Sequence, residues 1–174
     1  MSRHPDINRY INHVVEACKK DMPKEAIQSV AVVIIDAQQK PIERYVFDLN
    51  AVFHMSPHQF PDSIITYVAT VAQILEMHLP DLEIQMRGFL LRISAAQALL
   101  QPLPGNCTFS LTVDTKQPMN PDSEQEAKTG VSPWIPAEEF QKPEAFRNSN
   151  LIPLKSLNTG AIQLSLFVQE VESG

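Results

Sequence analysis

The chain has 174 residues, with 14 Lys and Arg against 20 Asp and Glu, for a formal charge of −6. That balance argues against a broad phosphate-binding surface, which needs clustered cations, and the length fits one domain burying about two thirds of its unfolded surface. No apolar run reaches the ~20 residues of a membrane span, the start Met1 to Asp6 carries no signal-peptide core, and Cys18 and Cys107 build no disulfide framework.

Ile7, Tyr10, Ile11, Val14, Val15 and Cys18 recur at spacings of three and four, which predicts a helix. Pro5 and Pro23 bracket it, and Lys19 and Lys20 occupy its last turn, where cations meet the negative end of the dipole. Ser29 to Asp36 is a β-branched run and predicts a strand buried on both faces. Ala37 to Pro41 predicts a hairpin loop. The return strand, Ile42 to Leu49, places Tyr45, Phe47 and Leu49 on one face and Arg44, Val46 and Asp48 on the other.

Residues 50–60 are irregular, and Pro61-Asp62-Ser63 then offers a helix start before a stripe running to Leu75. Pro80 breaks the pattern, giving two helices or one kinked helix. Leu82, Met86, Phe89, Ile93, Ala96 and Leu100 continue as a central core helix. After Gly105-Asn106, Cys107, Phe109, Leu111 and Val113 alternate with Thr108, Ser110 and Thr112 as a third strand.

From Asp114 to Asn150 the pattern disappears. Eight of the 14 prolines lie between Pro102 and Pro153, and this polar stretch far exceeds the ~12–15 residues at which a structureless connection becomes unusual. It holds the only tryptophan, in Ser132-Pro133-Trp134-Ile135-Pro136, so the arm is expected to dock. A second hairpin closes the chain, turning at Asn158-Thr159-Gly160. In its last strand Gln163, Ser165, Phe167 and Gln169 share a polar face, which projects Phe167 outward as a contact candidate.

Chemistry finds little support. His54 and His58 have the i, i+4 spacing of a zinc helix, but Pro57 lies between them and no glutamate follows His54. Both cysteines read as buried small hydrophobes. The glycines stand alone, so no phosphate loop or nucleophile elbow forms, and Glu138-Glu139 reads as a solvated face. No catalytic residue, metal site or cofactor is expected. What remains is interaction chemistry: extended peptides are commonly recognised by adding a strand to a sheet edge, and an arm crossing the peptide would slow its release.

Several segments occur in an order that carries a resemblance. They are His4 to Ile11, Val32-Val33-Ile34-Ile35-Asp36, Pro41 to Phe47, Arg87 to Ser94, Cys107-Thr108-Phe109, Pro133-Trp134-Ile135 and Leu151-Ile152-Pro153-Leu154-Lys155. Together they resemble the HORMA-domain accessory subunit of translesion DNA polymerase zeta, a relative of the spindle-checkpoint HORMA proteins. The match runs over nearly the whole chain.

The resemblance implies a nuclear, non-catalytic adaptor of α+β class, with an antiparallel sheet and hairpins packed on long helices. Residues 1–113 would form the HORMA core and residues 114–174 a "safety-belt" arm and C-terminal hairpin of the same domain. The belt would close over a proline-containing peptide of the polymerase's catalytic subunit, with Tyr10 and Trp134 lining the groove. Arg87 would serve HORMA–HORMA pairing. Leu151, Ser165 and Phe167 would dock the C-terminal domain of the translesion deoxycytidyl transferase. DNA would be met only indirectly, and a membrane not at all.

Each residue has a plainer reading beside this one: Tyr10 as core, Trp134 as a pin for the arm, Arg87 as a solvated charge, Phe167 as one exposed aromatic. Three departures stand out. Ser165 and Phe167 replace the family's glutamine and tyrosine. Residues 64–80 look like an insertion. The family's first apolar helix, upstream of Pro5, is missing, which predicts either a shortened product or an apolar face that needs a partner. A mitotic-checkpoint or meiotic-axis HORMA protein binding closure-motif peptides is the alternative reading.

Overall fold

The structure, a computed structural model, describes residues 4–22, 27–51, 79–116, 134, 136–158 and 162–171. Its elements in chain order are α1 (Pro5–Asp21), β1 (Ile27–Ile35), β2 (Pro41–Ala51), α2 (Leu79–Ala96), β3 (Thr108–Thr115), β4 (Asn150–Asn158) and β5 (Ile162–Glu170). Two short 3-10 turns, Glu139–Gln141 and Pro143–Phe146, lie in the arm before β4. The helix predicted over 61–75 and the His54/His58 pair lie outside the described residues.

The strands form one antiparallel sheet in the order β3-β1-β2-β5-β4, so β3 and β4 are its edges. The β1–β2 hairpin forms where expected. Asp36 sets its turn, its Oδ1 accepting the backbone N–H groups of Gln38 and Lys40 at 2.8 Å each. An aspartate bonding its own downstream backbone in this way competes with strand continuation and reverses the chain.

Register assigns the two faces. On the helical face Val30 stands beside Phe47 and Val113, and Val32 beside Tyr45 and Leu111. There Val30, Leu49, Leu111 and Val113 pack against Val14 and Cys18 of α1, joined by Ile27 and Trp134. On the opposite face Val33 stands beside Arg44 and Ser110, and Ala31 beside Val46 and Thr112. The arm covers part of that face, with Phe146 and Phe140 against Val33 and Ile35. We call this the arm face.

Three expectations need correcting. β1 is not equally buried on both sides, since its odd positions are buried while Gln28, Val30, Val32 and Ile34 remain partly open. The arm covers Val33 and Ile35 among these odd positions, a contact that apolar periodicity does not record. α2 is not a central core helix: Phe89 and Ala96 are buried, but Ile84, Leu90 and Leu91 are 63–72% exposed. Its packed side meets β4, where Lys155 lies over the Phe89 ring at 5.4 Å and donates to Gln85 Oε1 at 3.1 Å. A Cβ on Gly88 would come 3.0 Å from the Lys155 Cε, so the glycine permits that approach. Finally, Cys107 is half-buried just outside β3, its Sγ 3.0 Å from the Pro104 carbonyl, whereas Cys18 is buried as expected.

Candidate peptide groove and docking face

β3 carries an open edge. Its inner side pairs with β1, yet the Leu111 N–H donates to the Tyr10 hydroxyl at 2.9 Å, so this amide points away from the sheet. In an antiparallel strand, alternate residues direct their backbone groups the same way, so Phe109 and Val113 present theirs along the same edge. Tyr10 is therefore not a core residue. It is 41% exposed, and its ring leans on Phe109 with centroids 6.3 Å apart and planes tilted by 55°.

Tyr10, Val14 and Cys18 repeat at i, i+4, i+8 and share one side of α1, which Asp21 extends. At that far end Trp134 docks. Its indole Nε1 donates to Asp21 Oδ2 at 2.8 Å, and its ring joins the Val14–Cys18–Ile27 cluster. A carboxylate in the last turn opposes the helix dipole. That anomaly was the sequence signal for a donor such as Trp134, and sequence reasoning passed over it. Tyr10 and Asp21 are eleven residues apart, about 16 Å along a helix, enough for roughly five extended residues at about 3.3 Å each.

On the other side of the same edge the arm returns to β3. Gln141 Nε2 donates to Ser110 Oγ at 3.1 Å, and Gln141 also closes the capping box with Glu138 that holds the 3-10 turn. The β3 edge thus lies between α1 on the helical face and the arm on the opposite face, with Tyr10 and Trp134 at the two ends of the α1 strip. The Cys18 thiol in the floor of this region is pushed up by burial and further by nearby Asp21, so it stays protonated and unreactive.

A second feature is the arm face of β4 and β5. Phe167 stands between Val46 and Pro153, Ser165 between Asp48 and Ser156, and Leu151 beside Gln169. Leu151, Ser165 and Phe167 therefore share one face at the outer end of the sheet. Leu151 is 56% exposed, while Ser165 and Phe167 are half-buried. Pro153 is tolerated because β4 is an edge strand with a register shift at that point.

Arg87 is on the exposed part of α2 and pairs with Glu83 at 2.7 Å, an i, i+4 pair open to water. It is brought near neither the groove nor the docking face. Among the described residues no group of three His, Cys, Asp or Glu is placed to hold a metal ion. No described helix is long and apolar enough to cross a membrane.

A part-buried ion pair ties β2 to the β3 edge, and the same arginine reaches β5. Arg44 of β2, almost fully buried, donates from Nη2 to Asp114 Oδ2 of β3 at 2.5 Å and from Nη1 to Gln169 of β5 at 3.3 Å. Ser29 of β1 donates to the same Asp114 oxygen at 2.5 Å. Arg44 Nε and Thr112 Oγ1 are buried without a hydrogen-bond partner.

No family model matches the chain. It is 30% identical over 170 residues to the mitotic spindle assembly checkpoint protein MAD2B of Bos taurus, covering 98% of this chain and 72% of that protein. It is 28% identical over 170 residues to the DNA polymerase zeta processivity subunit of Arabidopsis thaliana, covering 97% of this chain and 66% of that one. Among solved structures, a chain of the mitotic checkpoint complex superposes with a TM-score of 0.65 at 18% identity, covering 99% of this chain and 77% of that chain. HTP-1 of C. elegans, bound to the HIM-3 closure motif, superposes with a TM-score of 0.63 at 13% identity, covering 97% and 71%. The five-stranded sheet order, the hairpin arm and these likenesses agree: the chain belongs to the HORMA-domain family that includes MAD2B and the DNA polymerase zeta processivity subunit.

Proposed function

We propose that this protein is a non-catalytic nuclear adaptor that clamps a proline-containing peptide of the DNA polymerase zeta catalytic subunit. The observation that carries the reading is the β3 edge, whose outward Leu111 amide is held by Tyr10 and which lies between α1 and the arm. A peptide adding to this edge would gain main-chain hydrogen bonds from β3 and side-chain contacts from Tyr10 and Trp134. The arm would then have to lift before the peptide could leave. The relatives named as processivity subunits and the HORMA neighbours solved with bound motifs support the same use.

The shared face of Leu151, Ser165 and Phe167 would carry the second partner, a translesion deoxycytidyl transferase, so that the adaptor bridges two polymerases during damage bypass. The exposed Arg87 would serve pairing with another HORMA domain. The likeness to MAD2B and to a chain of the mitotic checkpoint complex favours a second reading, a checkpoint or chromosome-axis protein that binds closure motifs at the same edge.

Fluorescence anisotropy with proline-containing peptides from the catalytic subunit tests the first reading. The wild type should bind, and Trp134→Ala should bind at least about tenfold more weakly, as expected of a half-buried aromatic anchor. Equal affinities would remove Trp134 from the groove. Binding by neither protein would sink the polymerase reading, and a preference for checkpoint or axis peptides would select the second.

A further inference from the structure

Glu43 of β2 and Glu170 of β5 stand directly opposite each other in the register. Both are buried, at 2% and 8% exposure. They lie on the helical face, since Glu43 also stands beside Ile34 of β1. Among the described residues, the titratable groups acting on Glu43 are Glu170 and the Tyr45 hydroxyl, a hydrogen-bond partner two positions along β2. The neighbours that register and hydrogen bonding place beside the two carboxyls are neutral. Ile34 comes from β1, Asn150 of β4 stands opposite Glu170, and the Gln101 N–H beyond α2 donates to Glu170 Oε1 at 2.6 Å.

Two carboxylates held side by side away from water resist ionising together. The pair exists only while β5 lies against β2. Were the β4–β5 hairpin to swing away, Glu43 would regain water and lose its like-charged neighbour. We propose that closing the hairpin onto β2, which sets Glu170 beside Glu43, takes up a proton at Glu43, so that rising pH favours its opening. The proposal relies on the reading of this hairpin as the closing element, but the pairing and its test need no peptide.

The sign follows from the carboxyl itself. Burial raises Glu43 above its ordinary 4.5, the Tyr45 hydrogen bond offsets part of that, and Glu170 adds a further rise. Burial and the same two carboxylates push the Tyr45 hydroxyl up to about 12, so it remains a donor throughout. A carboxyl raised in the closed state stabilises closure fully below 4.5. That contribution fades as pH climbs through the raised value and stays lost above it.

Hydrogen exchange on the full chain at several values between about pH 5 and 8, corrected for intrinsic rates, compares β5 amides with those of β1. Wild-type β5 protection should fall relative to β1 as pH rises, by up to about tenfold per pH unit over the range in which closed-state Glu43 loses its proton. Glu43→Gln keeps an acceptor for Tyr45 but no charge. It should hold β5 protected at the upper pH and flatten the profile, and Glu170→Gln provides the same test from the other strand. A wild-type profile shared by both variants overturns the proposal, as does β5 protection that follows β1 at every pH. Failure to bind any peptide would leave these outcomes as they are.

Discussion

Replacing Phe146 by alanine is expected to destabilise the protein by about 3–5 kcal/mol, the usual range for removing a fully buried phenylalanine. Phe146 is 1% exposed and meets Val33 and Ile35 from the arm face, with Phe140 and Val171 around it. Its ring is the main apolar contact by which the described arm covers β1, so truncation leaves a cavity between two elements rather than inside one. For a chain of this length the melting temperature should fall by roughly 10 °C. Guanidinium unfolding measures the loss. The single tryptophan, Trp134, lies in the same arm, so its emission reports whether the arm detaches before the sheet melts. A loss under about 1 kcal/mol would mean that the arm does not rest on β1 through this residue.

Asp114→Ala is expected to be the next most damaging change, at about 2–4 kcal/mol, because it strands the buried Arg44 charge. The figure lies below that for a wholly buried pair because the Asp114 side chain is 27% exposed. Adding Arg44→Met to Asp114→Ala should restore much of the loss. The double change removes the orphaned charge together with the guanidinium Nε–H that has no partner in the native protein. Urea unfolding of the four proteins in the double-mutant cycle gives the coupling directly. Additive losses would show that the pair is not coupled. Salt should change the coupling little, since Arg44 is shielded from counterions.

Much of the fold was legible along the chain because hydrophobic period is a local property. The β1–β2 hairpin, the two faces of β2, the placement of α1 and the closing hairpin follow from alternation, helical spacing and turn residues. The arm announced itself by proline content and one tryptophan. Periodicity failed where burial comes from a distant, polar-looking segment. Thr112, read as alternating with the apolar positions of β3, is buried on the arm face, and the helix read as central to the core turns Leu90 and Leu91 outward.

The candidate site was legible only in outline. Tyr10 and Trp134 came from ordered motifs, but nothing in their spacing brings them to one helix: 124 positions separate them, and Asp21 provides the link. Tyr10 sits in an apolar stripe, and only its 2.9 Å bond to the Leu111 amide shows that it guards an edge. Glu43 and Glu170 are ordinary glutamates in sequence and become a pair only through register.

The sequence by itself determined which of the described segments are strands and which residues share a face. Each of these depends on neighbours within a few residues, where helical and extended periods act. Tertiary structure alone decided that β3 is an open edge, that the arm shields the face behind it, and that the Arg44 and Glu43 contacts span separate strands. Those outcomes depend on strand order and register, and they arise from closing loops tens of residues long. The −6 charge argues against a broad phosphate-binding surface, whereas the pairing of Glu43 with Glu170 arises only from the register of β2 and β5.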